Sequence, residues 1–184
     1  MKVRLSFDSS MNEAQKAKFT YCAGLMEKVL SSDKFKQSIL SHKYKVTKTT
    51  GSFLWKKTVT STVVGFAWNG GKTRQQVYDF IQSGAESLDK TKDGECDISI
   101  IIEKGRAGVL GRTNPSTKWQ WISKWFFDSA TPAELCGNLM HEWLHKQGFS
   151  HSGDKTTERP YTVPYAVGYL MRDLVQLYLS SGRI

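Results

Sequence analysis

Hydrophobic residues recur along the chain either at every second position, which predicts strands, or with the 3.6-residue repeat of a helix. Segments of the two kinds alternate and predict a series of strands and helices. Apolar and polar residues alternate over residues 2–7, which predicts a first strand. Helical spacing then predicts a long helix over residues 11–30, capped by Asp8, Ser9 or Ser10. A strand followed by a long helix is typical of the start of an α/β arrangement.

The central third of the sequence carries further strand and helix patterns. Two β segments are expected at residues 52–59 and 62–68, followed by the turn sequence Asn69-Gly70-Gly71. A second helix is expected at residues 73–87, and the apolar run at residues 97–103 predicts a buried central strand.

The C-terminal third predicts one more strand and two helices. The sequence KWQWISKWFF at residues 118–127 predicts a strand with Trp119, Trp121, Trp125 and Phe127 on one face. A last helix is expected over residues 164–180. At 184 residues the chain is expected to form one domain with an α/β (α+β) fold and a mixed sheet.

The segment HEWLHKQGFSH at residues 141–151 carries three of the four histidines of the chain. His141 and His145 would lie on one face of a helix, where both imidazoles can bind one Zn²⁺. A continuing helix would turn His151 away. We therefore expect the helix to end at Gly148, which adopts a left-handed conformation readily, so that His151 supplies a third ligand.

Three histidine ligands leave one coordination position open, which is typical of a catalytic zinc site that activates water. Glu142 follows the first ligand and is expected to act as general base on this water. Thr131 as N-cap, Pro132 at the first helical position and Glu134 at the third predict where this helix begins.

The pattern H-E-x-x-H-x-x-G-x-x-H resembles the signature of the metzincin clan of zinc endopeptidases. This resemblance implies a twisted mixed sheet with two backing helices and the zinc helix in an N-terminal subdomain, residues 1–148. A short C-terminal subdomain, residues 149–184, would end in the last helix.

The resemblance also implies a substrate-binding edge strand. In metzincins an antiparallel edge strand lines the cleft and pairs with the substrate backbone. The glycine-spaced segment Gly108, Val109, Leu110 and Gly111 occupies the corresponding place in this sequence. A simple glycine-rich loop is the alternative interpretation.

The clan signature continues with a methionine-containing turn below the metal. Met171 is the only methionine after His151 and is the candidate, although it falls inside the last predicted helix. Some metzincins carry a tyrosine near this turn that stabilises an oxyanion. Tyr165 is the preferred candidate, ahead of Tyr161 and Tyr169.

The net charge of +9 favours acidic partners. Lysines and aromatic residues are interleaved over residues 34–57, which is compatible with a nucleic-acid surface or with a solvated strand face whose rings lie in the core. No nucleic-acid motif accompanies these charges, so we favour the second interpretation. Cys22, Cys96 and Cys136 are expected to be reduced and buried, although a pair between Cys22 and Cys96 stays open.

No apolar run is long enough to span a bilayer, and the sequence MKVRLSFDSS lacks the apolar core of a signal peptide. We therefore expect no membrane span, and either a cytoplasmic location or export by a non-classical route. We also expect a monomer.

Together these features predict a zinc-dependent endopeptidase with one catalytic Zn²⁺ and a peptide or protein substrate. One alternative is a zinc hydrolase of a small amide or a restricted peptide. Another is a non-catalytic, zinc-stabilised basic module that binds nucleic acid or an acidic protein. Glu142 argues against this module, because a structural zinc site needs its ligands but no base.

Overall fold

The computed structural model describes residues 1–51 and 55–183, which form a mixed sheet covered by helices and a separate two-stranded ribbon. The strands are β1 (Lys2–Phe7), β2 (Lys43–Thr50), β3 (Lys57–Val64), β4 (Glu95–Glu103), β5 (Gly111–Thr113) and β6 (Trp119–Ser123). The sheet has the order β1-β4-β6-β5, in which β5 alone is antiparallel to its neighbour. The expected α+β fold with a mixed sheet is confirmed.

The helices pack on this sheet and on one another. They are α1 (Glu13–Leu30), α2 (Asp33–Leu40), α3 (Arg74–Ser83), α4 (Lys124–Ser129), α5 (Pro132–Lys146) and α6 (Val163–Ser181), with a 3₁₀ turn at Arg159–Tyr161. α5 is the most deeply buried helix, and its Leu139, Met140, Trp143 and Leu144 are inaccessible to solvent. No helix in the described ranges is long and apolar enough to cross a bilayer.

β1 and α1 follow the prediction closely, except for the cap of α1. Asn12, rather than Asp8 or the two serines, caps this helix and forms a capping box with Gln15. Asp8 accepts hydrogen bonds from Ser10 instead, which closes a turn before the helix. The interpretation of residues 34–57 as strands with their rings in the core is wrong in two places, because residues 33–40 form helix α2 and Trp55 is 82% exposed. The three cysteines are free and buried, as expected, so the alternative of a disulfide between Cys22 and Cys96 is wrong.

The predicted strands at residues 52–59 and 62–68 are wrong. β3 runs without a break from Lys57 to Val64 and pairs antiparallel with β2, and residues 52–54 lie outside the described residues. Threonine pairs such as Thr47 and Thr60 hydrogen-bond across the two strands and stabilise this register. The Asn69-Gly70-Gly71 turn is present and leads into α3, as the sequence predicts.

Two other elements end earlier than expected. α3 ends at Gly84, whose φ of 76° is left-handed and which packs against the backbone of Glu95. The predicted strand at residues 118–127 ends at Ser123, and α4 follows at once, with Lys124 and Asp128 paired one turn apart at 2.8 Å. Trp125 and Phe127 are therefore helical, and they do not share a strand face with the two preceding tryptophans.

Local signals place the start of α5 where the sequence predicts it. The Thr131 side chain accepts from the Glu134 backbone N–H, and the Glu134 carboxylate accepts from the Thr131 backbone N–H, with Pro132 in the first turn. This reciprocal capping box satisfies two backbone donors that the helix itself leaves unpaired.

The other end of α5 is held by the segment that follows α3 and by the loop between β5 and β6. The Trp143 indole N–H donates to the Glu86 carboxylate at 2.5 Å, and the Gln147 amide donates to the carbonyl of Ala85 at 3.4 Å. Lys146 is 2% exposed and donates to the carbonyl of Thr117. These buried polar contacts fix the helix end that carries the histidine motif.

α5 and α6 approach each other at a pair of glycines. A Cβ on Gly137 would lie 2.9 Å from the carbonyl oxygen of Gly168, and a Cβ on Gly168 would lie 3.1 Å from the Cβ of His141. The two backbones are therefore in direct contact, and no larger residue fits at the crossing without moving a helix.

We expect Gly137→Ala to destabilise the fold by about 1–3 kcal/mol, because the added methyl forces two packed helices apart. Gly24→Ala is the matched control. Gly24 lies inside α1 with no atom within 4 Å of an added Cβ, so this change should stabilise by roughly 0.5–1 kcal/mol. Urea unfolding measures both; equal effects of the two substitutions would contradict the close crossing.

The Glu86 contact predicts a pH dependence of stability. Burial raises the pKa of the Glu86 carboxyl to about 7, Asp97 raises it further, and Trp143 and Lys146 lower it. Because the pKa of this carboxyl is higher in the folded than in the unfolded protein, the folded state loses stability as the pH rises from about 4.5, the pKa in the unfolded chain, to about 7. Thermal unfolding across this window should show a decline that Glu86→Gln flattens; an unchanged slope in the variant would count against it.

Candidate metal centre

The helix end and the loop after it bring the three histidines of the motif together. His141 and His145 lie one turn apart on α5, which ends at Lys146. Gly148 follows with a φ of 88°, as predicted, and turns the chain back so that His151 reaches the other two rings.

The three Nε2 atoms form a nearly equilateral triangle. They are 3.3 Å apart between His145 and His141, and 3.2 Å apart in each pair that includes His151. Ligand nitrogens held at about 2.0–2.1 Å from a tetrahedral ion lie roughly 3.3–3.4 Å from one another. The donor set therefore fits one divalent cation placed just outside the plane of the triangle.

Backbone carbonyls orient each ring so that Nε2 faces this common point. His145 Nδ1 lies 2.8 Å from the carbonyl oxygen of Phe149, and His151 Nδ1 lies 2.9 Å from that of Ser152. His141 is hydrogen-bonded to the backbone of Pro164. A carbonyl can only accept, so the ring proton sits on the nitrogen that faces it and the Nε2 lone pairs converge.

The environment keeps all three rings neutral. Burial, reinforced by the other two imidazoles, lowers the pKa of His141 to about 3. Burial is also the main cause of the lowered pKa values of His145 and His151. Because a metal binds the neutral imidazole, these shifts favour coordination over protonation.

Glu142 lies beside the histidines in the same cleft and is 5% exposed. Burial raises the pKa of its carboxyl to about 8. Among the described residues it forms neither a hydrogen bond nor an ion pair, so its oxygens are free for a reactant. A cation bound by the histidines would favour the carboxylate form, since an opposite charge nearby lowers the pKa of an acid.

Tyr165, in the first turn of α6, packs against two of the histidines. Its ring centroid lies 4.5 Å from that of His141 and 4.7 Å from that of His151. The Arg159 guanidinium lies over the ring at 4.8 Å and also donates to the phenolic oxygen. Burial raises the pKa of Tyr165, and Arg159 partly offsets this shift. The phenol keeps its own proton, which can be donated into the cleft.

The histidines open into a cleft of about 870 Å³. The predicted edge segment, Gly108 to Gly111, lines one side of it, and Gly111 begins β5 at the free edge of the sheet. Val109 and Leu110 are 38% and 42% exposed. The segment before Gly111 is a turn and loop rather than strand, so of the four predicted edge-strand residues only Gly111 lies in a strand.

Other sequence candidates lie outside the immediate site. Met171 is buried inside α6, so its backbone is helical and no turn forms at it. Tyr161 stacks on Tyr44 of the ribbon at 4.7 Å, away from the histidines. Tyr169 lines the cleft one turn beyond Tyr165.

Arg159 and Asn138 are cleft residues that the sequence did not point to. Arg159 lies in a polar loop, where a single arginine carries no signal. Asn138 did leave a signal, since it is a buried polar residue on the apolar helix α5, one turn before Glu142. Its Oδ1 has no hydrogen-bond partner among the described residues and lies close to Gly111 of the edge strand.

No protein-family model, no curated protein and no solved structure matches this chain.

Proposed function

We propose that this protein is a zinc-dependent endopeptidase in which His141, His145 and His151 hold one Zn²⁺. The observation that carries the proposal is the convergence of three neutral Nε2 atoms at 3.2–3.3 Å from one another, with Glu142 beside them. Three imidazoles suit zinc and leave one position for water, as catalytic zinc sites require.

Glu142 is the group that moves protons in this proposal. Zinc held by three histidines lowers the pKa of water towards neutrality and polarises a carbonyl group. The Glu142 carboxylate takes a proton from the attacking water and later gives it to the leaving amine. Its burial serves this role, because a desolvated carboxylate is a stronger base than one in water.

Tyr165 is the proposed oxyanion donor. Its ring lies against His141 and His151, so its hydroxyl is close to where a substrate carbonyl must bind. Arg159 donates to the phenolic oxygen and so holds the hydroxyl in place while leaving its proton available. A hydrogen bond that strengthens as the carbonyl oxygen gains charge lowers the reaction barrier.

The sheet edge supports an extended peptide as the substrate. β5 is antiparallel to β6, and its other side pairs with no strand in the described part of the chain. A peptide in the cleft can add to this edge through backbone hydrogen bonds. An antiparallel edge strand beside a helix that carries two of the three histidines also supports a metzincin-like arrangement, which belongs to the same proposal.

We expect Glu142→Gln to retain one equivalent of zinc and to lose about 10²–10⁴-fold in peptide hydrolysis, because the ligands stay and the base is gone. Metal analysis and a quenched peptide library, each with and without a chelator, measure the two properties. Glu13→Gln, at an exposed carboxylate on α1, is the control that should change neither.

This experiment also separates the alternatives. If the wild-type protein binds zinc but cleaves no peptide, the endopeptidase proposal is contradicted and the non-catalytic, zinc-stabilised binding module is favoured. Cleavage of small amides alone would favour a restricted hydrolase.

The ligand assignment predicts a difference between two histidine substitutions. His145→Ala should lose zinc and its thermal stabilisation, whereas His42→Ala should retain the metal, since His42 stacks on Phe66 outside the cleft. Calorimetry with and without added zinc measures the shift. Zinc lost equally from both variants would argue against the three-histidine site.

Tyr165→Phe should lower kcat by roughly 10²-fold with little change in KM, because the hydroxyl acts mainly as the oxyanion forms. Tyr169→Phe removes a hydroxyl from the same cleft one turn away and should leave kcat nearly unchanged. Steady-state kinetics on one cleaved peptide compares the two, and similar kcat values for both variants would exclude the oxyanion role.

A further inference from the structure

The two-stranded ribbon, β2 and β3, concentrates the positive charge of the chain. Residues 43–64 contain five lysines and no acidic residue, which accounts for more than half of the net charge of +9. The lysines are Lys43, Lys45, Lys48, Lys56 and Lys57. None of them forms an ion pair within the described residues, so their charge is not neutralised by the fold.

The ribbon contributes little to the core. Tyr44 at its base is the only buried residue of the two strands, and Val46 and Val63 are half-buried. Every residue described beyond Val46 on β2, and Lys57 to Thr62 on β3, is exposed. So exposed an apolar and cationic surface adds little to folding stability, and it favours contact with a partner outside the chain.

Both faces of the ribbon are cationic. Neighbouring residues of a strand point to opposite faces, and directly paired residues share a face. Lys48 and Thr50 are two residues apart on β2 and so share a face, and Thr50 pairs with Lys57, so Lys57 lies on that face too. Lys43 and Lys45 lie on the opposite face, at the base of the ribbon on either side of Tyr44.

Apolar side chains accompany these charges at the far end of the ribbon. Trp55 is 82% exposed and precedes Lys56 and Lys57 directly. Val59 is 50% exposed on the face that carries Lys48. Tryptophan favours the boundary between lipid headgroups and acyl chains, where a nearby lysine can keep its ammonium group in water.

We propose that the far half of the ribbon docks to an anionic lipid bilayer, with Trp55 at the interface and Lys48, Lys56 and Lys57 against acidic headgroups. The charge of this part of the ribbon complements such a surface, since Lys48, Lys56 and Lys57 lie near the exposed Trp55 and Val59. The proposal is independent of the metal centre and of any peptidase activity.

Nucleic acid is a poorer match to the same surface. Sequence-tolerant binding of single strands uses successive aromatic rings as a stacking platform. In the described part of the ribbon, Tyr44 already stacks on Tyr161, and Trp55 at the far end is a single exposed ring rather than a series. Adenine is read by asparagine or glutamine and guanine most often by arginine, and residues 43–64 contain none of the three, so lysine is their one residue type that makes a bidentate base contact.

Vesicle co-sedimentation of the whole chain tests the proposal. Phosphatidylcholine vesicles containing about one third phosphatidylserine should bind the protein, pure phosphatidylcholine should not, and salt should weaken binding. Reversing two charges, Lys48→Glu with Lys57→Glu, should weaken binding by at least roughly tenfold. Trp55→Ala should weaken it severalfold.

Matched variants separate the ribbon from net charge and from exposed aromatic rings in general. Lys90→Glu with Lys92→Glu makes the same charge change in an exposed loop, and Trp68→Ala removes another exposed tryptophan, 50% exposed. Both should bind vesicles like the wild type, and thermal unfolding confirms that each variant is folded.

Three results would overturn the proposal. They are equal loss of binding in the Lys90/Lys92 variant, no binding to anionic vesicles, and tighter binding of duplex DNA than of vesicles with sensitivity to the ribbon lysines. The last result would assign the ribbon to nucleic acid. Vesicle binding by the Glu142→Gln variant should equal that of the wild type, so a failed peptidase proposal leaves this test unaffected.

Discussion

The candidate metal centre depends on the direction of three imidazole lone pairs. Carbonyls of Phe149, Ser152 and Pro164 hold the ring protons outward, so three Nε2 lone pairs point at one another across 3.2–3.3 Å. Such an arrangement is electrostatically unfavourable without a cation and favourable with one. The carbonyls come from the loop after α5 and from the start of α6. A cation would therefore join the helix, the loop and the last helix at one point.

The parts of this site that the sequence predicts are those set by neighbours in the chain. The capping box of Thr131 and Glu134, the left-handed Gly148 and the placement of the histidines need only helical geometry and a residue that tolerates positive φ. Tyr165 could be proposed only through a family resemblance, although the structure then places its ring against His141.

The parts that could not be predicted depend on contacts distant in sequence. Arg159 acquires its position by lying over the Tyr165 ring, and no local pattern marks it. The ribbon register could not be predicted because lysine, serine and threonine interrupt the few apolar residues of its one apolar face, so periodicity gives no sign of where pairing begins. The end of β6 at Ser123 was missed because its aromatic residues continue unchanged into α4.

The glycine crossing of α5 and α6 has a consequence for substitutions in the cleft. Because backbone atoms set the helix separation at Gly137 and Gly168, the distance of His141 from α6 does not depend on the side chains further along α6. Tyr169 and Arg172 line the cleft from that outer stretch. Replacing these two residues would therefore change the lining of the cleft, while the backbone contact next to His141 stays as it is.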